Sequence, residues 1–140
     1  MKLLLAFLLI SQALLSKEYA GTQAIVDLYN CSSEHLDDVR WVERKMVRAA
    51  TIAGGTIVKS EFHQFSPWGV SGVVVISESH IAIHTWPEFR FAALDIFTCS
   101  EDLKVQKAYD YLIDAFESET YDITNVRRGN NISKKHDHAR

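Results

Sequence analysis

Hydrophobic positions along this chain follow two periods. Leu36, Val39, Val42, Met46, Ala49 and Ala50 recur at helical spacing, with Asp37, Arg40, Glu43 and Arg44 between them. Leu103, Val105, Ala108, Leu112, Ile113 and Phe116 form a second helical stripe. The other apolar runs are short and rich in β-branched and aromatic residues, which suits strands. They are Thr22–Leu28, Thr56–Phe65, Val70–Ile76, Ile81–Trp86, Phe91–Thr98 and Tyr121–Val126.

Punctuation between the runs fits this division. Asn30-Cys-Ser-Ser33 offers N-cap residues for the first helix, and Ala53-Gly-Gly55 ends it by permitting left-handed geometry. Ser66-Pro-Trp-Gly69 reads as a turn, and Pro87 stops the strand before it. Ser100-Glu-Asp102 is expected to cap the second helix, with its acids complementing the dipole of the first turn. The predicted order is β-α-β-β-β-β-α-β. It gives an α+β fold, an antiparallel sheet with two helices packed on one face. The other face also needs cover, and a second copy packed sheet on sheet would supply it, so a homodimer is expected.

Size and composition narrow the class. The 140 residues fit one domain, and 47% hydrophobic content supports a core. A net charge of −3 gives no electrostatic reason to expect nucleic acid as a partner. Cys31 and Cys99 do not form a disulfide scaffold and are expected to be free. Residues 1–20 stand apart as a leader. Met1-Lys2, the apolar run Leu3–Ile10 and the small residues Ser11 and Ala13 match a secretory signal peptide. That run is short for a membrane span. Residues 21–129 form the domain, and 130–140 a polar tail, with Arg127 and everything after it expected to fray.

Candidate chemistry is concentrated in Val73-Val-Val-Ile-Ser-Glu-Ser-His-Ile-Ala-Ile-His-Thr-Trp-Pro-Glu88. Glu78-Ser79 falls between two strands, with His80 beside it and His84 further on; Cys99 ends another strand. Taken singly, each has a plain structural reading. Ser-Glu-Ser is common in turns. A strand-end cysteine is usually a small buried hydrophobe. Glu88 after Pro87 is a solvated turn acid, and Phe65 and Trp86 are ordinary core aromatics. His80 and His84 without a third ligand do not make a metal site, and no metal is expected.

The joint set is more specific. Phe62-His-Gln-Phe-Ser-Pro-Trp-Gly-Val-Ser-Gly-Val-Val-Val-Ile-Ser-Glu-Ser-His-Ile-Ala-Ile-His-Thr-Trp-Pro-Glu88, with Ala93-Leu-Asp-Ile-Phe-Thr-Cys99, resembles the small prokaryotic S-adenosylmethionine decarboxylase proenzymes. The likeness runs from about Gly21 to Gly129 and takes in Arg127-Arg-Gly129. It implies a chain that makes its own cofactor. Ser79 attacks the Glu78 carbonyl, the amide becomes an ester, and β-elimination leaves a β chain ending at Glu78. The α chain then begins at a pyruvoyl group derived from Ser79. By the same resemblance His84 supports the elimination and Ser71 helps stabilise the intermediate. The pyruvoyl carbonyl forms a Schiff base with the α-amine of S-adenosylmethionine and acts as electron sink. Cys99 matches the proton donor; thiols as a class are mostly protonated at neutral pH. Phe65, Trp86 and Glu88 are candidates for the substrate pocket. In a strand His80, Ala82 and His84 share a side, which is expected to keep His84 in reach of Ser79.

Three tensions accompany that likeness. S-adenosylmethionine is made and used in the cytosol, so the leader implies a misassigned start, a tether facing the cytoplasm, or a changed role outside it; a cytosolic active site is the expectation. The same processing core could serve arginine or ornithine instead, although Phe65, Trp86 and Glu88 favour a nucleoside. An inactive regulatory homologue is the other alternative, and the presence of Ser79, His84 and Cys99 argues against it.

Overall fold

The computed structural model describes residues 19–130 and 132. Most of the expected leader (1–20) and tail (130–140) lies outside the described residues. Among the described residues, six strands and two helices follow in the predicted order: β1 Gly21–Tyr29, α1 Val39–Ile52, β2 Ile57–Gln64, β3 Val70–Ile76, β4 Ser79–Trp86, β5 Phe91–Thr98, α2 Val105–Ala115 and β6 Thr120–Arg128. A single 3₁₀ turn, Pro87–Phe89, joins β4 to β5. The strands form one sheet in the order β2-β3-β4-β5-β1-β6, and every neighbouring pair is antiparallel.

Alternation along the strands decides which face is covered. Ala24, Val26 and Leu28 of β1, Ile81 and Ile83 of β4, and Leu94 and Ile96 of β5 are buried beneath the helices. Val42, Met46, Ala49 and Ala50 of α1 and Ala108 and Leu112 of α2 meet them. Each large apolar side chain so removed from water contributes roughly 1.5–3 kcal/mol. Phe116, just past α2, is buried edge-on to Trp41 of α1, with centroids 5.1 Å apart, and locks the two helices together. The intervening positions, His80, Ala82, His84 and Trp86 on β4 and Phe91, Ala93, Asp95 and Phe97 on β5, point to the opposite face and are only half-buried. No element of the described residues covers that face.

Several element boundaries differ from the sequence reading, and three have a clear physical cause. Helix α1 starts at Val39, and Asp38 caps it rather than Asn30–Ser33. The Asp38 Oδ1 accepts from the backbone N–H groups of Arg40 and Trp41, both at 3.0 Å. Residues 30–37 are tied down elsewhere: Cys31 N–H donates to Arg90 O at 2.9 Å, and the buried Thr85 hydroxyl donates to Leu36 O at 2.7 Å. Helix α2 starts at Val105, after Lys104, so Glu101 and Asp102 precede its first turn. Ser100 and Asp102 instead close a small turn, with Asp102 N–H donating to Ser100 Oγ at 3.1 Å. Arg127 and Arg128 do not fray, because β6 pairs with β1 as far as Gly21↔Arg128. A polar edge strand carries little hydrophobic signal.

Candidate active site

The hairpin between β3 and β4 is closed by Ser77 and Glu78, with Ile76 paired to Ser79. Ser79 has φ 142°, a region that essentially only glycine visits. Holding a serine there costs roughly 1–3 kcal/mol, so its neighbours must enforce it. The hydrogen bonds that do so converge on Ser77 and Glu78, ahead of the Glu78-Ser79 bond. The Glu78 carbonyl oxygen accepts from Cys99 N–H at 3.0 Å and from Cys99 Sγ at 3.3 Å. The Glu78 carboxylate accepts from Thr56 N–H at 2.9 Å and from Thr56 Oγ1 at 3.2 Å. Ser77 N–H donates to Thr56 O at 2.8 Å. The Thr56 backbone N–H, with lesser help from its hydroxyl, holds the Glu78 carboxyl below the usual carboxylate range.

Two donors on one carbonyl oxygen form an oxyanion-hole arrangement, aimed at the bond that sequence reasoning singled out. Thr56 was not among the expected site residues. Its signal in the sequence is faint: it only follows Gly54-Gly55, which reads as a helix end.

The expected residues fall into two groups. Glu78, Ser79 and Cys99 come together, with His80 completing the corner: its Nδ1 is 3.2 Å from Ser79 Oγ. His84 is not there. It lies five residues on along β4, roughly 17 Å away at strand rise, which overturns the expectation that it reaches Ser79 within the chain. His84 belongs to a second corner with Ser71, Phe65 and Trp86. Ser71 pairs with His84 across β3 and β4, and its hydroxyl donates to Ile83 O at 3.3 Å. The His84 ring lies 4.1 Å from Trp86 and 5.4 Å from Phe65, centroid to centroid. Glu88 is exposed in the 3₁₀ turn beyond Trp86.

Phe65 is held in place by the turn after β2. Phe65 N–H donates to Gly69 O at 2.8 Å, and Gly69 N–H to Asp37 Oδ1 at 2.7 Å. Gly69 has φ 103° and would bring a Cβ within 3.0 Å of Thr85 O, so only glycine suits the position. A groove of about 620 Å³ opens on the uncovered face among Glu61, His63, Phe65, Ser71, His84 and Asp95. Cys31, by contrast, is fully buried; burial pushes its thiol pKa up, as befits an inert core residue.

Fold and candidate site together are those of an α+β enzyme built on an antiparallel sheet. Residues 22–129 match the S-adenosylmethionine decarboxylase family, and the chain belongs to it. A protein of Thermodesulfovibrio yellowstonii named S-adenosylmethionine decarboxylase proenzyme is 49% identical over 109 residues, which cover 78% of this chain and 81% of the relative. A proenzyme of the same name from Thermotoga maritima is 48% identical, with 78% of this chain and 84% of the relative covered. The crystal structure of the adenosylmethionine decarboxylase from Aquifex aeolicus superposes with a TM-score of 0.75 at 34% identity, over 81% of this chain and 93% of that one.

Proposed function

We propose that the chain is a proenzyme that cuts itself between Glu78 and Ser79, and that the processed enzyme decarboxylates S-adenosylmethionine. The observation that carries this reading is the Glu78 carbonyl, gripped by Cys99 N–H and Sγ beside a serine at φ 142°. A nucleophile, a strained peptide and an oxyanion site meet at one bond. Attack by Ser79 Oγ on the Glu78 carbon converts the amide to an ester. Removal of the Ser79 Cα proton then expels the main-chain carboxylate of Glu78 and leaves dehydroalanine at residue 79. The β chain ends at Glu78; the dehydroalanine tautomerises to an imine, water adds, ammonia leaves, and the α chain starts at a pyruvoyl group.

His84 is the group expected to take the Cα proton, yet it sits at the opposite end of β4 from Ser79. A two-fold axis lying between two stacked sheets and perpendicular to their strands resolves this. It sets the His84 end of one protomer over the Ser79 end of its partner, twice per dimer. The open faces would be covered by the same contact. Each active site would then combine Glu78, Ser79, His80 and Cys99 of one protomer with the Phe65–Ser71–His84–Trp86 corner of the other.

The strained Ser79 corner fits a pyruvoyl group, with Cys99 Sγ near the Glu78-Ser79 bond, 3.3 Å from the Glu78 carbonyl oxygen. Once formed there, that group would supply an electrophilic carbonyl for the substrate α-amine and an electron sink for loss of the carboxylate. Cys99 returns a proton to the substrate Cα. Phe65 and Trp86 offer aromatic faces for adenine, and Glu88 a carboxylate for the ribose hydroxyls. The product is an aminopropyl donor for spermidine synthesis. The substrate's presence in the cytosol puts the active site there. Intact-mass analysis of the purified protein should give two fragments cut before residue 79, together with carbon dioxide release from carboxyl-labelled S-adenosylmethionine. A whole chain that releases none would overturn the proposal.

A further inference from the structure

The self-cleavage proposed above leaves one proton without a carrier. Ser79 Oγ must lose it to attack, and the Ser79 nitrogen must gain one to leave. We propose that the His80 imidazole carries that proton, making His80 a catalytic residue of the acyl shift and distinct in role from His84.

Three observations support this. The His80 Nδ1 lies 3.2 Å from Ser79 Oγ, within reach for proton transfer. Neighbouring side chains in a strand point to opposite faces, so this contact does not arise in regular backbone. It exists because Ser79 has φ 142°, and the strain that exposes the Glu78-Ser79 bond also brings hydroxyl and imidazole together. The ring is also supported: Phe97, its cross-strand partner, lies 5.7 Å from it. Phe97 in turn packs on Gly21, where any Cβ would come within 2.9 Å of its ring. The other imidazoles near the open face, His63 and His84, belong to the Phe65 corner.

The step balances without outside help. With its hydrogen on Nε2, neutral His80 accepts at Nδ1. The Oγ–C bond forms as the proton passes to Nδ1, and the oxyanion on Glu78 rests against Cys99 N–H and Sγ. The oxyanion then collapses, the Glu78 C–Ser79 N bond breaks, and Nδ1–H delivers the proton to that nitrogen. The result is an ester and a free amine, with the imidazole restored.

This inference rests on self-cleavage, and the test separates the two. The full chain is prepared as wild type, Ser79→Ala, His84→Ala, His80→Gln and His80→Phe. Cleavage is followed by intact mass with and without hydroxylamine, which cuts esters but spares amides. Both His80 variants should melt close to Ser79→Ala yet cleave at least about a hundredfold more slowly than wild type. Hydroxylamine should release no fragment from them, because no ester has formed, while releasing one from His84→Ala. If either His80 variant cleaves at the wild-type rate, or yields fragments with hydroxylamine, His80 is not the carrier. If the wild type itself stays whole, self-cleavage fails, and not this assignment alone.

Discussion

At Ser79 one residue carries both the strain and the proposed nucleophile, so its removal gives the sharpest test. Ser79→Ala should abolish cleavage, leaving a single chain by mass. Cys99→Ala removes one of two donors to the Glu78 carbonyl but keeps the backbone N–H. It should slow cleavage by about tenfold, less than loss of a sole oxyanion donor, and lower turnover by about a hundredfold, measured on the fraction that does process. The Glu78 carboxylate gives a pH prediction. Thr56 N–H lowers its pKa in the folded state. Its contribution to stability is therefore full above the unfolded value and fades as pH falls through the lowered folded value. In a Ser79→Ala background, the melting temperature should drop in acid, and Glu78→Gln should flatten that part of the curve. Glu78, Ser79 and Cys99 were legible in the sequence because reactive residue types stand out against β-branched neighbours. Thr56 was not, since it holds Glu78 chiefly through a backbone N–H, which almost every residue carries, across 22 positions.

Elements were legible where periodicity is strong, and their ends were not. The stripes Val42–Ala50 and Ala108–Leu112 and the alternation in β4 and β5 needed only hydrophobic pattern. Helix starts depend on which polar side chain wins the free N–H groups. Asn30, Ser32 and Ser33 were all chemically suitable, yet Asp38 takes the role, because Arg90 and Thr85 hold residues 31–36 in a loop. Asp38→Ala should lower the thermal midpoint by several degrees while leaving cleavage intact. Trp41 N–H is the main cause that holds the Asp38 carboxyl below its ordinary range, so this cap too weakens only in acid. Phe116→Ala removes the contact that joins α1 to α2 and should cost about 3–5 kcal/mol, read by denaturant unfolding.

Across the whole molecule, the open sheet face decides what a single chain can do. Ala82 sits on that face between Val73 and Asp95. Ala82→Glu should give a monomer by sedimentation, and it should lose cleavage along with the dimer, since a charge buried between two sheets is strongly unfavourable. Co-expression tests the proposed shared site directly. Ser79→Ala and His84→Ala chains are each uncut alone, but mixed dimers hold one intact site, so cut His84→Ala chains should appear only in the mixture. By itself the sequence determined the element order, the buried stripes, the family and the candidate residues for the chemistry. These are local or pairwise properties that hydrophobic period and reactive side chains write into the chain. Tertiary structure alone decided that Ser79 adopts a glycine-like conformation, that Cys99 and Thr56 clamp Glu78, and that His84 stands at the far end of its strand. Each depends on distances between segments remote in sequence, which are settled only when the sheet closes and its strand register is chosen.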